Sequence, residues 1–584
     1  MSEQTVVHAL LKTAATGDSN RGFRFLNPDG SGDSHVSFAE LADSSARYGA
    51  ALLAMGLKRG DRVGLIVPEN EQFVRLFFGA MFVGLVPVPI APPMNIGRLG
   101  VFLEHLRHIV ERSGSSLIVT SSRIKSVLGS LVGGSLKRVA TPGELDVQSV
   151  KAPLADISPE QIAFLQFTSG STSRPKGVAL THANLSVNTD CIMRQGLKVS
   201  AEDVGCSWLP LFHDMGLIGF VIAPVTTGTP VVLMSPLTFV KRPVEWLRMM
   251  SRYQGSLSFG PNFAYGLCVK RIKPEELEGV DLSRWRVAGC GAEPIQAATL
   301  RTFAERFSVQ GFREQALMPS FGMAESTLAV TFSPLDRALR SDSVDVESLA
   351  KHRALSVEVG SPGSVQIVSC GSPFAEHDVA ILGKNGELLP ERCVGEIVLR
   401  GPSVMKEYYE DPEATASAFS GEWLRTGDLG YLADRELFVS GREKEVIIIS
   451  GKNYYPTDLE FVISEIDGVR KGNVVVFGLA DVVGGTEAIV VCAETKCALD
   501  EHKRIEHEIR TKVLEAFSLK IDRVELLAPN VLPKTSSGKL QRTKLKESYL
   551  SGELQTFTGG NDKLEFLKHW TRSQWKYLTK GGSN

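Results

Sequence analysis

Residues Phe167-Thr-Ser-Gly-Ser-Thr-Ser-Arg-Pro-Lys-Gly177 place five hydroxyl side chains, a glycine and a lysine in one short segment. The apolar run Ile162 to Phe167 leads into it and reads as a buried strand. Small side chains let backbone N–H groups close around phosphate oxygens. Thr168, Ser169, Ser171, Thr172 and Ser173 add hydroxyl donors, Gly170 adds freedom, and Lys176 adds charge. This is not a Walker A loop, because no Gly-Lys-Ser/Thr follows Gly170 at the required offset. Outward from the loop, β-rich runs such as Arg62 to Val67, Ser116 to Thr120 and Val231 to Met234 alternate with helical stretches. That alternation predicts an α/β fold of layered, largely parallel sheets.

At 584 residues the chain exceeds one core and suits a large domain with a smaller one. Hydrophobic content of 43%, charged content of 22% and net charge near −2 are those of an ordinary globular protein. They give no electrostatic reason to expect nucleic acid. Eight scattered cysteines without a C-x-x-C pair point to free thiols and a cytoplasmic location, and Met1-Ser-Glu-Gln has no signal-peptide character. The apolar stretch from Leu76 to Met94 is interrupted by Pro87, Pro89, Pro92 and Pro93. It reads as a buried helix ending near Gly84 and a short strand, Val86 to Ile90, not as an integral membrane segment.

Five further segments follow the loop in order. They are Trp208-Leu-Pro-Leu-Phe-His-Asp-Met-Gly216, Gly289-Cys-Gly-Ala-Glu-Pro294 and Phe321-Gly-Met-Ala-Glu325. Trp423-Leu-Arg-Thr-Gly-Asp428 with Gly441-Arg-Glu-Lys444, and Pro533-Lys-Thr-Ser-Ser-Gly-Lys-Leu-Gln-Arg542, complete the set. With the loop, these resemble the adenylate-forming superfamily of acyl-CoA synthetases, luciferases and peptide-synthetase adenylation domains, from about Ser37 to Leu545. The wording of 207–219, 233–237, 260–265 and 453–460 resembles the fatty acyl-AMP ligases in particular.

The resemblance implies a large multi-subdomain N-terminal domain over 1–441, a small mobile α/β domain over 442–550 with its hinge at Lys444, and a tail over 551–584. It implies ATP and Mg²⁺ as cofactors. Thr168, Ser169, Gly170, Ser171, Thr172 and Lys176 then hold the β- and γ-phosphates. Gly291, Ala292, Glu293, Ser320, Phe321, Gly322, Met323 and Ala324 line the nucleotide pocket, with Phe321 on adenine. Asp428 takes the ribose hydroxyls beside Arg442, and Glu325 is the metal ligand. Lys539 is the catalytic ammonium between carboxylate and α-phosphate, whereas Lys534 reads as solvated. His213 lies near the carboxylate and gates the acyl channel. Met234, Ser235, Gly260, Asn262, Phe263 and Ala264 border the acyl tunnel, although such residues serve equally well as core.

Two departures bear on the acceptor. Phe321-Gly-Met-Ala-Glu325 replaces the usual Tyr-Gly-x-Thr-Glu, and a polar excess over about 333–360 lengthens the path from Glu325 to Gly371. Acyl-AMP ligases carry both features, and the excess is expected to pack between domains and hinder the rotation that transfer to CoA needs. Ser173 stands where a glycine is usual, which adds strain if φ is positive there. In the tail, 563–580 shows helical apolar spacing and a basic balance, either a helix on the small domain or a docking element for an acidic carrier protein. The sequence therefore predicts a fatty acyl-AMP ligase serving a phosphopantetheinylated acyl carrier protein, with nothing demanding more than a monomer. An acyl-CoA synthetase and a catalytically idle nucleotide- or acyl-binding regulator stand as the alternatives.

Overall fold

A computed structural model describes residues 5–554 apart from 28–31, 94–98, 146, 148–149, 169–174, 450–451, 482–485, 518, 536–537 and 553. Local sequence sets the first layer. Ser37 and Glu40 form a reciprocal capping box that starts the helix Phe38–Ala54. That helix crosses a second, Asn70–Phe82, where two glycines meet. A Cβ on Gly49 would fall 2.9 Å from the Gly79 carbonyl oxygen, so only glycine permits the approach. The second helix stops at Phe82, the chain turns through Gly84 at φ +72°, and strand Val86–Pro89 follows. Prolines on this strand are tolerated because it is the edge of a four-stranded parallel sheet, in the order Val86–Pro89, Arg62–Ile66, Leu117–Thr120, Arg138–Ala140. Among the described residues no helix is long and apolar enough to cross a membrane.

A nine-stranded sheet forms the centre of the large domain. Its inner strands Leu317–Gly322, Val287–Cys290, Leu257–Gly260, Gly205–Ser207 and Val231–Leu233 neighbour one another in that order and run parallel. Strand Gly22–Leu26 extends the parallel set beside Val231–Leu233, and antiparallel strands follow at both ends. Parallel direction brings the carboxyl ends of the inner strands to one edge. The segments that follow them, 208–216, 261–264, 291–294 and 323–325, are gathered there, where open α/β sheets bind ligands. A further antiparallel sheet carries Trp423–Ala433 and Glu436–Arg442, whose register sets Asp428 opposite Arg442.

The polar excess, expected to pack between domains, is an ordered unit. Strand Ser341–Asp345 pairs antiparallel with Ser364–Val368, and a helix, Val346–Ala350, lies between them. Val344, Leu349 and Ala354 are buried against Leu429, Tyr431 and Phe438 and against Tyr455 of the small domain. Apolar residues at those few positions anchor a unit whose composition is otherwise largely polar. The unit also reaches the small domain through His352, whose Nε2 lies 2.8 Å from Asn453 Nδ2.

The small domain has strands Val469–Asp481, Thr486–Thr495 and Arg523–Leu527 in one sheet, with helices Pro456–Ser464 and His502–Phe517. Ile463, Val476, Val491, Ile505 and Ile509 belong to its own buried core. The helical spacing read at 563–580 lies outside the described residues.

Candidate active site

Strand Ile162–Thr168 pairs antiparallel with Lys176–Thr181, and Thr168 sits opposite Lys176. The hydroxyl loop joins them; Ser169, Gly170, Ser171, Thr172 and Ser173 lie outside the described residues. At its exit, a His108 ring nitrogen lies 3.0 Å from the Pro175 carbonyl oxygen. Lys176 Nζ stands 4.6 Å from the centre of the Tyr408 ring. The Tyr408 hydroxyl donates to Glu325 Oε1 at 2.8 Å. Tyr408 thus ties the lysine at the loop to the carboxylate, a role that the sequence reading missed. It stands on a two-residue strand, Glu407–Tyr408, paired with Lys176–Thr181, so the connection lies in long-range register with no local signal.

Glu325 lies in a short turn, Ala324–Ser326, after strand Leu317–Gly322. Burial pushes its carboxyl up, against the Tyr408 bond that favours the charged form. Phe321 is buried, and a Cβ on Gly322 would fall 1.9 Å from the Leu328 carbonyl oxygen. Ser320 Oγ donates to the Cys290 carbonyl, 3.2 Å away, and would stand 2.8 Å from a Cβ on Gly291. Ala292 has φ +68°, a left-handed turn that aims the next residue. Glu293 Oε1 accepts the N–H of Phe263 at 2.6 Å, so this carboxylate also braces the neighbouring 261–264 segment.

The small domain reaches this edge through one loop. Thr535 N donates to the Lys539 carbonyl at 2.7 Å, Gln541 N to that of Pro533 at 2.9 Å, and Lys539 N to Thr535 Oγ1 at 3.1 Å. Gly538, at φ +89°, brings the loop close to Phe263, whose ring would stand 3.9 Å from an added Cβ. Burial pushes the Lys539 ammonium down, while Asp214, Glu293 and Asp428 favour its charge. Asp428 Oδ1 accepts Arg442 Nε at 2.9 Å. Lys534 is exposed and donates to Asn473 Oδ1 at 2.8 Å. Lys444 is exposed in the turn Glu443–Glu445 that leads from the large domain into the small one.

Beneath this polar edge lies an apolar pocket that opens to solvent at its mouth. Asp214, Gly291, Ala292 and Phe321 line one part, and Gly219, Phe220, Leu257, Phe259 and Phe332 the apolar part. Met234, Ser235, Gly260, Asn262, Phe263 and Ala264, expected to border the acyl tunnel, are not among the residues that line this cavity. Side chains alternate across a strand. Along Leu257–Gly260, Leu257 and Phe259 face the cavity, while Ser258 bonds the Trp246 indole and Gly260 faces the Trp246 ring. The Gly260 segment therefore continues on the Trp208–Trp246 side, where Trp208 packs edge-on to Trp246 and to Phe263.

The family model described as AMP-binding enzyme matches residues 13–409. This chain belongs to the AMP-binding enzyme family. A second model, the Disco-interacting protein 2-like AMP domain, matches residues 444–558. A protein of Caulobacter vibrioides provisionally named an acyl-CoA synthetase is 36% identical over 548 residues, covering 93% of this chain and 95% of its own. The medium-chain-fatty-acid–[acyl-carrier-protein] ligase JamA of Moorena producens is 34% identical, covering 92% and 93%. A solved structure from work on the fatty acyl-adenylate ligases of E. coli and L. pneumophila superposes with TM-score 0.88 at 33% identity, covering 94% of this chain and 98% of that one. AMP-binding enzymes of this kind are ATP-dependent adenylating ligases, and this chain is one of them.

In this AMP-binding enzyme the surroundings of His213 favour its neutral form. Burial drives its value down to about 4; Asp214 opposes the shift and Lys539 adds to it. Its Nε2 is shut from solvent with no hydrogen-bond partner among the described residues. Because the folded value lies below 6.5, the stability this group contributes is complete above 6.5 and is lost as pH falls towards 4. In an NMR titration of histidine-labelled protein, assigned with His213→Gln, the ring resonances are expected to titrate near pH 4. A midpoint near 6.5 would overturn the assignment of a buried, neutral ring.

Proposed function

We propose that this AMP-binding enzyme is a fatty acyl-AMP ligase that passes its acyl group to the phosphopantetheine thiol of an acyl carrier protein. The observation that carries this reading is the apolar cavity leading to the edge where the charges of Asp214 and Glu293 act on Lys539. Each methylene buried there contributes about 0.8 kcal/mol, which suits an alkyl chain with its carboxylate at the polar end. The fatty-acid ligases among the relatives support it.

The chemistry joins two anions. A carboxylate oxygen attacks the α-phosphorus of ATP, an O–P bond forms, the bond to the β-phosphate oxygen breaks, and pyrophosphate leaves. Lys539 stands between carboxylate and α-phosphate, where its ammonium offsets their repulsion. The loop hydroxyls and Lys176 hold the β- and γ-phosphates, Phe321 and residues 291–293 and 320–324 hold the base, and Asp428 with Arg442 holds the ribose. Glu325 fits a Mg²⁺ ligand: it is one hard carboxylate, steadied by a single side-chain donor, Tyr408, with lone pairs left over. Mg²⁺ bound there would neutralise phosphate charge. A thiolate sulfur then attacks the acyl carbonyl carbon, and AMP leaves.

Contacts of the 341–368 unit favour a carrier thiol over CoA. They pin Tyr455 and Asn453 of the small domain to the large one, against rotation about Lys444. The eight free cysteines support a reducing compartment such as the cytoplasm.

Purified enzyme with MgATP and dodecanoate should yield dodecanoyl-adenylate, and no acyl-CoA when CoA is added, as read by mass spectrometry. Abundant acyl-CoA would make it an acyl-CoA synthetase. Lys539→Ala should lower pyrophosphate exchange about a hundredfold or more while ATP binding persists, since such a donor contributes about 3 kcal/mol. Gly219→Leu should shift kcat/KM from dodecanoate towards octanoate by about tenfold, because the Cβ at 219 meets just Leu328 of the cavity wall. Replacing 346–363 by Asn-Gly, across the paired residues Asp345 and Ser364, should let acyl-CoA appear. A folded variant that still makes none removes the unit from acceptor choice.

A further inference from the structure

Arg542 begins the helix Arg542–Leu550, directly after the loop that carries Lys539. Its side chain is only 12% exposed and lies between two carboxylates. Nη2 donates to Glu460 Oε1 at 2.8 Å and to Oε2 at 2.9 Å, Nε reaches Oε1 at 3.2 Å, and Nη1 donates to Glu445 Oε2. Glu460 Oε1 also accepts the N–H of Val476 at 2.8 Å, which fixes that carboxylate to the small-domain sheet.

The position of Glu445 gives this cluster its meaning. Three residues, Glu443–Glu445, separate Arg442 from the small domain. Arg442 belongs to the large domain's sheet and is held by Asp428. Glu445 lies past Lys444 and is held by Arg542. A guanidinium donates in a rigid planar fork, so the two carboxylates fix its orientation and not merely its charge. A short chain of contacts therefore runs from Asp428 through Arg442, the turn, Glu445 and Arg542 to Lys539 three residues away. Glu443 and Lys444 are exposed and carry no such tie among the described residues.

We infer that Arg542 is a positioning residue: it makes the outgoing half of the interdomain turn and the Lys539 loop one rigid piece. Rotation about Lys444 then moves Glu445, Arg542 and Lys539 together, and a single torsion decides whether the ammonium faces Asp214 and Glu293. Without the fork, bending spreads past residue 445 and Lys539 loses its place although the small domain still folds on its own core. Misplacing a reacting group by about 1 Å lowers a rate about a hundredfold, so the effect falls on the chemical step and not on binding. This inference rests on the role proposed for Lys539.

The test uses the full chain with MgATP and dodecanoate, read by pyrophosphate exchange, beside affinity for synthetic dodecanoyl-adenylate measured by calorimetry. Arg542→Ala is expected to lower kcat about 30- to 100-fold while both KM values and the adenylate affinity stay within about threefold. Arg542→Lys should recover little, because charge without the fork does not fix the loop. Glu445→Gln leaves the Glu460 pair intact and should lower kcat about tenfold with an unchanged unfolding midpoint. Unchanged kcat in both variants overturns the inference. So does a joint loss of kcat, KM and unfolding midpoint, which is the signature of a merely structural arginine. Lys539→Ala run in parallel separates the two readings: if it is fully active, the role of Lys539 fails first; if it is impaired and Arg542→Ala is not, the tie alone fails.

Discussion

One ammonium among carboxylates is the constraint on which the rest of this structure depends. Lys539 reaches into an edge that also holds Asp214, Glu293 and Asp428, and burial alone would push it towards neutrality. The carboxylates favour its charged form, and Arg442 opposes them. The cation is carried by the small domain, behind the three-residue turn Glu443–Glu445, so the edge is completed by two domains and not by one.

Much of the fold was legible because it follows from local rules. The apolar run before the hydroxyl loop forms its strand, and the proline-rich stretch after Phe82 breaks into turn and edge strand as proline sterics require. Motif residues far apart in sequence converge because parallel strands end on one edge. What could not be read was settled by register and by faces. Tyr408 joins Lys176 to Glu325 through a two-residue strand that no periodicity announces. The cavity lies on the Leu257 and Phe259 side of its strand, and Gly260 lies on the other. Alternation tells which residues share a face, but not which face is hollow.

The 341–368 unit teaches a related lesson. Within it Asp342 takes Arg392 and the Tyr431 hydroxyl, and just outside it Arg337 and Arg340 share Glu436. Polarity that reads as solvation in a sequence can be internal pairing in a fold. A few apolar side chains, Val344 and Leu349 among them, then suffice to anchor the unit.

The strand Leu257–Gly260 has a consequence for how such enzymes diversify. Its odd-numbered side chains border the hollow, and its even-numbered positions serve the tryptophan core. A substitution at an odd position would therefore reshape the hollow while leaving the even positions to hold the core. The shape of the hollow and the packing of the core lie on opposite faces of the same four residues.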